Sequence, residues 1–200
     1  LLVTSLTNIR YLTGFTGSAA LLLVKPDRAL FVSDGRYRDQ SAEQIGAAGV
    51  DVDMEILNIG QKEVVVAGAA GVARLGLEAD HVTWAQQRKY ATDWFPDTEL
   101  VATEAIVDQL RLVKDAGEVA RIEAACATAD AALASIRHRL VEGPTEEEFG
   151  LELDTAIRRL GAEGNSFETI VASGPNAAKP HAEPGSRRIQ EGDLVVLDFG

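Results

Sequence analysis

The amino-acid sequence predicts an α/β domain, a mixed sheet with flanking helices, followed by the first part of an α+β domain. Through residue 102, short apolar runs alternate with helical stretches, the pattern of a layered α/β unit with a partly parallel sheet. From residue 115 onward two amphipathic helices come first and two strands follow, an α+β order. The chain is long and apolar enough for such layers: 200 residues, 46% hydrophobic and 25% charged, the composition of a globular protein. At this size folding buries roughly 70% of the surface of the unfolded chain, so a core forms without disulfides or a structural metal.

Taken in order, Leu1-Leu2-Val3 is strand-like. Ala19 to Val24 and Ala29 to Ser33 are β-type runs joined by Lys25-Pro26-Asp27-Arg28, where proline at the second turn position presets φ for a hairpin. After Asp34-Gly35 a polar helical stretch runs to about Ala47. Val52 to Ile59 reads as a strand, Gln61 to Ala70 as a helix and Arg74 to Glu78 as a strand. Asp80 is expected to cap a helix from His81 to about Trp94, and Thr98 to Ala102 closes this half as a strand.

Asp115-Ala116-Gly117-Glu118 places an N-cap aspartate three residues ahead of a glutamate that can bond back to it. Behind it Val119, Ile122, Cys126, Ala129, Leu133, Ile136 and Leu140 recur at spacings of three and four, one face of a long helix. On that face Cys126 is expected to pack in a core. Thr145-Glu146-Glu147-Glu148 is a second capping box, opening a helix with the stripe Phe149, Leu153, Ile157 and Leu160 and closed by Gly161. Phe167 to Ala172 and Leu194 to Leu197 read as strands, separated by the loop Ser173 to Gly192. The shift in character sets a boundary between Val101 and Lys114 and gives domains of residues 1–108 and 109–200. Both ends fall at strand-like segments, so the sequence is expected to be part of a longer protein.

With 19 basic and 31 acidic residues the net charge is −12, and the basic residues gather no further than the doublets Arg88-Lys89, Arg158-Arg159 and Arg187-Arg188. A polyanion meets repulsion on such a surface, so nucleic acid is not an expected partner. Cys126 is the only cysteine, which rules out an intrachain disulfide and a Cys-rich zinc site and fits a reducing, cytoplasmic location. The longest purely apolar run, Ala19 to Val24, is far short of the ~20 residues of a spanning helix. No basic stretch followed by an apolar one marks a leader, so a membrane is not expected as a partner either.

Several motifs fall away on spacing. Gly14-Phe15-Thr16-Gly17 lacks the glycine pattern and the strand-to-helix context of a pyrophosphate loop and reads as a tight turn. Asp198-Phe199-Gly200 matches the kinase metal-binding triplet, but no His-Arg-Asp stands upstream. Ser173 follows a strand, yet a nucleophile elbow needs glycine two residues to either side, where Val171 and Pro175 stand. Two residues remain. Val195-Val196-Leu197 is apolar throughout, which places Asp198 at the end of a strand expected to be buried on both faces. A carboxylate there caps a turn, is paired, or binds a metal. His181 stands in Pro180-His181-Ala182 within a loop rich in Gly and Pro, which leaves it either solvated or functional. His81 and His138 receive no role.

Three stretches in order, Ser166-Phe167-Glu168-Thr169-Ile170-Val171-Ala172-Ser173-Gly174-Pro175-Asn176, Pro180-His181-Ala182 and Gly192-Asp193-Leu194-Val195-Val196-Leu197-Asp198-Phe199-Gly200, resemble the proline-specific metallopeptidases of the pita-bread fold, the Xaa-Pro aminopeptidase and Xaa-Pro dipeptidase family. Asn8-Ile9-Arg10-Tyr11-Leu12-Thr13-Gly14-Phe15 and Asp34-Gly35-Arg36-Tyr37 resemble its creatinase/prolidase-like amino-terminal domain, and Lys114-Asp115-Ala116-Gly117-Glu118 resembles the entry to its catalytic domain. The resemblance covers nearly the whole chain. It implies an α/β amino-terminal domain followed by the first part of an α+β pita-bread domain. The implied activity is metal-dependent hydrolysis of the bond between an N-terminal residue and proline in a proline-containing peptide.

The same resemblance assigns roles. Asp198 matches the first of five metal ligands, normally two aspartates, one histidine and two glutamates around two divalent ions, for which manganese, cobalt, zinc or iron are suited. Such a pair of ions acidifies a bridging water and polarises the scissile carbonyl. His181 matches a catalytic histidine that hydrogen-bonds the scissile group, where an imidazole donor strengthens as charge builds, and Phe167 matches a position near the substrate pocket. The other ligands fall beyond Gly200 in the family, so this chain alone is expected to hold no metal and to be inactive. A homodimer paired through the amino-terminal domain is also implied, with the loop around Tyr11 to Phe15 rimming a partner's active site. Two readings of the same architecture stand beside the peptidase: a creatinase-like amidinohydrolase without metal, and a non-catalytic pita-bread module that binds peptides or proteins. A methionine aminopeptidase shares the catalytic fold but would lack the first domain.

Overall fold

Leu2-Val3, Leu22-Leu23 and Phe31-Val32 are adjacent pairs of buried apolar residues. Neighbouring side chains on a strand point to opposite faces, so each pair feeds two cores at once. The computed structural model describes residues 1–200, in two compact units, Leu1–Val113 and Lys114–Gly200. In the first, strands β1 (Leu2–Val3), β2 (Ala20–Val24), β3 (Ala29–Asp34), β4 (Asp53–Leu57), β5 (Arg74–Glu78) and β6 (Glu99–Thr103) form one sheet in the order β4-β3-β2-β1-β5-β6. The pairs β1–β2 and β2–β3 are antiparallel, and β3–β4, β1–β5 and β5–β6 are parallel. The sheet is therefore mixed, as the sequence predicts, with a second antiparallel pair that the short β1 contributes.

Helices α1 (Leu6–Thr13) and α2 (Arg38–Ala48) bring Ile9 and Ile45 onto Val3, Phe15, Leu22 and Phe31 on one face. On the other, α3 (Gln61–Gly68) and a π-helical turn at Tyr90–Trp94 bring Val65 and Tyr90 onto Leu2, Leu23, Val32, Leu75 and Leu77. The predicted helix from His81 is shorter and starts later. Glu78 O accepts the N–H groups of His81 and Val82 in a turn. Thr83 and Gln86 then form the capping box of α4 (Trp84–Lys89). Asp80 instead accepts the Ala105 N–H at 3.2 Å.

Two helices are additional to the predicted set. The segment from Tyr11 to Phe15 is not simply a loop: α1 runs through Thr13 and stops at Gly14, at φ 77, whose N–H bonds to Arg10 O. Tyr11 lies in its last turn, with its hydroxyl donating to Leu110 O at 3.3 Å. The other is α5 (Ile106–Leu112). A buried asparagine joins these pieces. Asn8 Nδ2 donates to Glu78 at 2.8 Å and to Asp108 at 3.2 Å, and its Oδ1 accepts from Arg111 at 3.0 Å.

In the second unit α6 (Ala116–Ile136) continues as a 3-10 segment (Arg137–Glu142), followed by α7 (Glu146–Arg159), β7 (Ile170–Ser173) and β8 (Val195–Asp198). Both predicted capping boxes form, at Asp115/Glu118 and Thr145/Glu148. Asp115→Ala, which removes the acceptor 2.7 Å from the Glu118 N–H, is expected to cost about 1 kcal/mol. A urea midpoint equal to wild type would contradict that.

The core of this unit is Ala132, Phe149, Leu153, Ala156, Ile157, Val171 and Ile189. Only the C-terminal half of α6 joins it, through Ala132, Leu133 and Ile136, while Val119, Ile122 and Cys126 are exposed. The expectation of a core cysteine is thus corrected. At 1.5 Å per residue α6 is about 31 Å long and α7 about 21 Å, so α7 leaves the first turns of its longer partner uncovered. β8 is corrected as well. Val195, Leu197 and Phe199 pack toward the core, while Leu194, Val196 and Asp198 are exposed. Within residues 1–200 the two-stranded antiparallel ribbon meets the helices on one face, and nothing in these residues covers the other.

Candidate functional site

β7 and β8 pair antiparallel with Ile170 opposite Asp198 and Ser173 opposite Val195. The Ser166 N–H donates to Gly200 O at 2.6 Å, just past the ladder, and the Phe167 ring stands beside Gly200. Phe167 and Asp198 therefore share one end of the ribbon, the aspartate exposed and the ring 48% exposed. His181 departs from the other end. Beyond Ser173 the chain makes a 3-10 turn at Gly174–Ala178, and His181 follows on the outside of the loop, next to buried Ala182.

That loop is fastened from within by Glu146, the first residue of α7, whose side chain is fully buried. Its Oε1 accepts the Ser173 N–H at 2.7 Å, the Ser173 hydroxyl at 2.8 Å and Asn176 Nδ2 at 3.1 Å. Its Oε2 accepts Asn176 Nδ2 at 3.1 Å and the Gly185 N–H at 3.3 Å. Burial pushes this carboxyl up, and the donors at Ser173, Asn176 and Gly185 outweigh it, holding Glu146 below the ordinary value of 4.5. The first-turn N–H groups of α7 are also satisfied: Glu146 N–H by Arg187 O, Glu147 N–H by Gly185 O, and Glu148 N–H by Thr145.

A second charge pair extends the cluster. Arg187 Nη1 donates to the Ser173 hydroxyl at 2.6 Å and to Asp193 Oδ2 at 2.6 Å, and Nη2 reaches Asp193 Oδ1 at 3.1 Å. The fork holds the Asp193 carboxyl below its usual range, helped by the Gln190 N–H. Gly174 is required where these groups meet. It sits at φ 50, and a Cβ there would lie 2.6 Å from Arg187 Nη2 and 2.7 Å from Asp193 Oδ1. Ser173, wholly buried with its hydroxyl engaged twice, is a structural residue.

No group of three or more His, Cys, Asp or Glu side chains in the structure is arranged to hold a metal ion. Asp198 stands outside any such group and presents a single exposed carboxylate. An open depression of about 820 Å³, lined in part by Lys62, Val66, Trp94 and Phe95, lies in the first unit and includes none of the candidate residues.

Sequence reasoning missed Glu146 because Thr145-Glu146-Glu147-Glu148 reads as a cap followed by interchangeable acids. A signal was present. Glu146 lies three, seven and eleven residues before Phe149, Leu153 and Ile157, so an acid occupies the apolar stripe of α7.

Comparison with known proteins agrees with this architecture. Residues 1–113 match the model of the creatinase/prolidase N-terminal domain and residues 120–200 that of metallopeptidase family M24. The uncharacterized peptidase YqhT of Bacillus subtilis (strain 168) is 36% identical over the whole chain, which spans 56% of that protein. Among solved structures, an Xaa-Pro dipeptidase from Bacillus anthracis superposes on the whole chain with a TM-score of 0.92 at 33% identity, the chain covering 55% of it. An X-Pro aminopeptidase from Thermotoga maritima MSB8 does so with a TM-score of 0.88 at 28% identity, the chain covering 57% of it. The chain thus spans about half the length of these relatives. It belongs to the creatinase/prolidase family, an amino-terminal domain of that family running into the start of an M24 metallopeptidase domain.

Proposed function

We propose that the full-length protein hydrolyses the peptide bond between an N-terminal residue and proline, in Xaa-Pro dipeptides or longer Xaa-Pro peptides, in a metal-dependent reaction. The observation that carries this reading is Asp198: an exposed carboxylate at the end of β8, on the same ribbon end as Phe167, within a segment that matches an M24 metallopeptidase domain. The named Xaa-Pro peptidases among the similar structures support it. In this reading Asp198 gives one carboxylate to a site for two divalent ions, manganese, cobalt, zinc or iron, whose other ligands this chain does not contain. His181 donates a hydrogen bond to the scissile group, and Phe167 forms part of the pocket wall. The chain on its own is inactive, and the full-length protein is a cytoplasmic homodimer paired through the amino-terminal domain.

The test is an assay of the purified full-length protein on Ala-Pro, Ala-Pro-Ala and Ala-Ala, with manganese and after chelation, with bound metal measured alongside. Release of alanine from one or both proline peptides, absent on Ala-Ala and lost on chelation, is expected. Cleavage of an amidine substrate with no metal bound would favour the creatinase-like alternative. No turnover of any peptide by the metal-loaded protein would favour the binding module. Turnover by residues 1–200 alone would contradict the proposed inactivity of the piece, and a monomer by light scattering would remove the dimer.

A further inference from the structure

We propose that Glu146 is the positioning residue for His181, its one buried carboxylate tying down both ends of the loop that carries the histidine. The proposal rests on the reading of His181 given above. His181 lies between Asn176 and Gly185, and both of these donate to Glu146. The two limbs of the loop are held differently. The returning limb has main-chain ties to the start of α7: Gly185 O and Arg187 O accept from Glu147 and Glu146 at 3.1 and 3.0 Å, and Ile189 N–H donates to Pro144 O at 2.9 Å. The departing limb, from Ser173 through the 3-10 turn, reaches the start of α7 through the Glu146 side chain, by the Ser173 N–H and hydroxyl and the Asn176 amide. Lys179 Nζ then bonds to Asn176 Oδ1 at 2.8 Å and carries the restraint toward His181.

A carboxylate suits this task because it only accepts. Four donor groups converge on two oxygens, and no proton on the acceptor opposes any of them. Glutamine at 146 keeps an acceptor for Ser173 but points an N–H₂ at the donors of Asn176 and Gly185. The departing limb is thereby released beyond Gly174, whose N–H stays on Leu194 O as Ser173 stays on Arg187, while the ribbon and helix keep their own bonds. A histidine whose imidazole must meet a developing oxyanion is sensitive to such release, since a displacement of about 1 Å can cost about 100-fold in rate.

The experiment uses the full-length protein and Ala-Pro. Glu146→Gln is expected to lower kcat by about 10- to 100-fold with KM changed less than about twofold, because the lost geometry acts on the reacting group. Asn176→Ala, which keeps the Ser173 bonds, should show the same split in weaker form and covers the case in which the glutamine variant does not fold. Combining Glu146→Gln with Asn176→Asp restores a donor facing an acceptor and should recover most of kcat. The decisive readout is a cycle with His181→Ala, in which Glu146→Gln should cost no further activity. Multiplying losses would overturn the proposal, since Glu146 would then act independently of His181. Amide hydrogen exchange gives a readout independent of activity. Residues 177–184 should exchange faster in Glu146→Gln with α7 unchanged, and unchanged loop exchange would overturn the tether. A fully active His181→Ala would overturn the reading of His181 and this proposal with it. A normal Glu146→Gln beside a disabled His181→Ala would overturn this proposal alone.

Discussion

Asp198→Asn in the full-length protein is expected to lower kcat/KM on an Xaa-Pro dipeptide by about a thousandfold or more and, with the metal removed by chelation, to leave the unfolding midpoint unchanged. The two halves of this expectation have different causes. The metal-free midpoint is spared because β8 pairs through its backbone and nothing within residues 1–200 packs over the Asp198 side chain, so an isosteric amide disturbs no packing there. Activity is lost because, in the proposed reading, the carboxylate is a direct metal ligand. Altering groups that merely support such ligands already costs about 10- to 100-fold in metal affinity or activity. Steady-state kinetics and bound-metal content, with a denaturant titration after chelation, decide the matter. A variant keeping more than about a tenth of wild-type activity would show that Asp198 is not a ligand. A midpoint lowered even in the metal-free protein would return it to the turn-capping role that its position alone also allows.

Glu146→Ala is expected to destabilise the second unit by about 3–5 kcal/mol, the range for removing one member of a buried charged network. The buried Ser173 N–H loses its acceptor, at about 1–3 kcal/mol for a buried group left unsatisfied, and the half-buried Asn176 amide loses its acceptor as well. The Ser173 hydroxyl loses its acceptor too and keeps only the Arg187 contact. The same carboxylate gives the unit a pH dependence of definite sign. Its pKa is lower folded than unfolded. Its contribution is therefore complete above the unfolded value near 4.5 and is lost as pH falls through the folded value. Asp193 and Glu148 are shifted in the same direction, so the informative quantity is the difference between wild type and Glu146→Gln. That difference should be flat at neutral pH and shrink in acid. A difference that grew as the pH dropped below 4.5 would show that the carboxylate carries no net favourable interaction in the fold.

The features legible in the sequence were those encoded within a few residues. Both capping boxes in the second unit are local chemistry, a side chain and an amide three positions apart, and both form as read. The β2–β3 hairpin follows from Pro26 and two flanking apolar runs. Elements made by distant partners were not legible. α1 and α5 are short helices secured to the rest of the unit through Asn8, Glu78, Asp108 and Arg111, residues spread over a hundred positions. The apolar run in β8 reads as a strand buried twice because periodicity cannot show how many layers cover it. The candidate residues His181, Asp198 and Phe167 came from ordered motifs. Glu146 carries no motif of its own and is distinguished from Glu147 and Glu148 only by the direction it faces.

β1 has a consequence for the order in which the first unit comes together. It is two residues long, yet it alone joins β4-β3-β2 to β5-β6. Leu2 is paired on one side with Leu23 and on the other with Leu77. The hairpin of β2 and β3 needs only its immediate neighbours and belongs to the microsecond class of folding events. Uniting the two halves requires the start of the chain to find a partner at residue 77, and the entropy of closing so long a loop is spent before the shared core returns anything. Separation along the chain, rather than the strength of any one contact, is thus expected to make the β1–β5 seam the last of the sheet to close, which φ-values near zero at Leu77 would show.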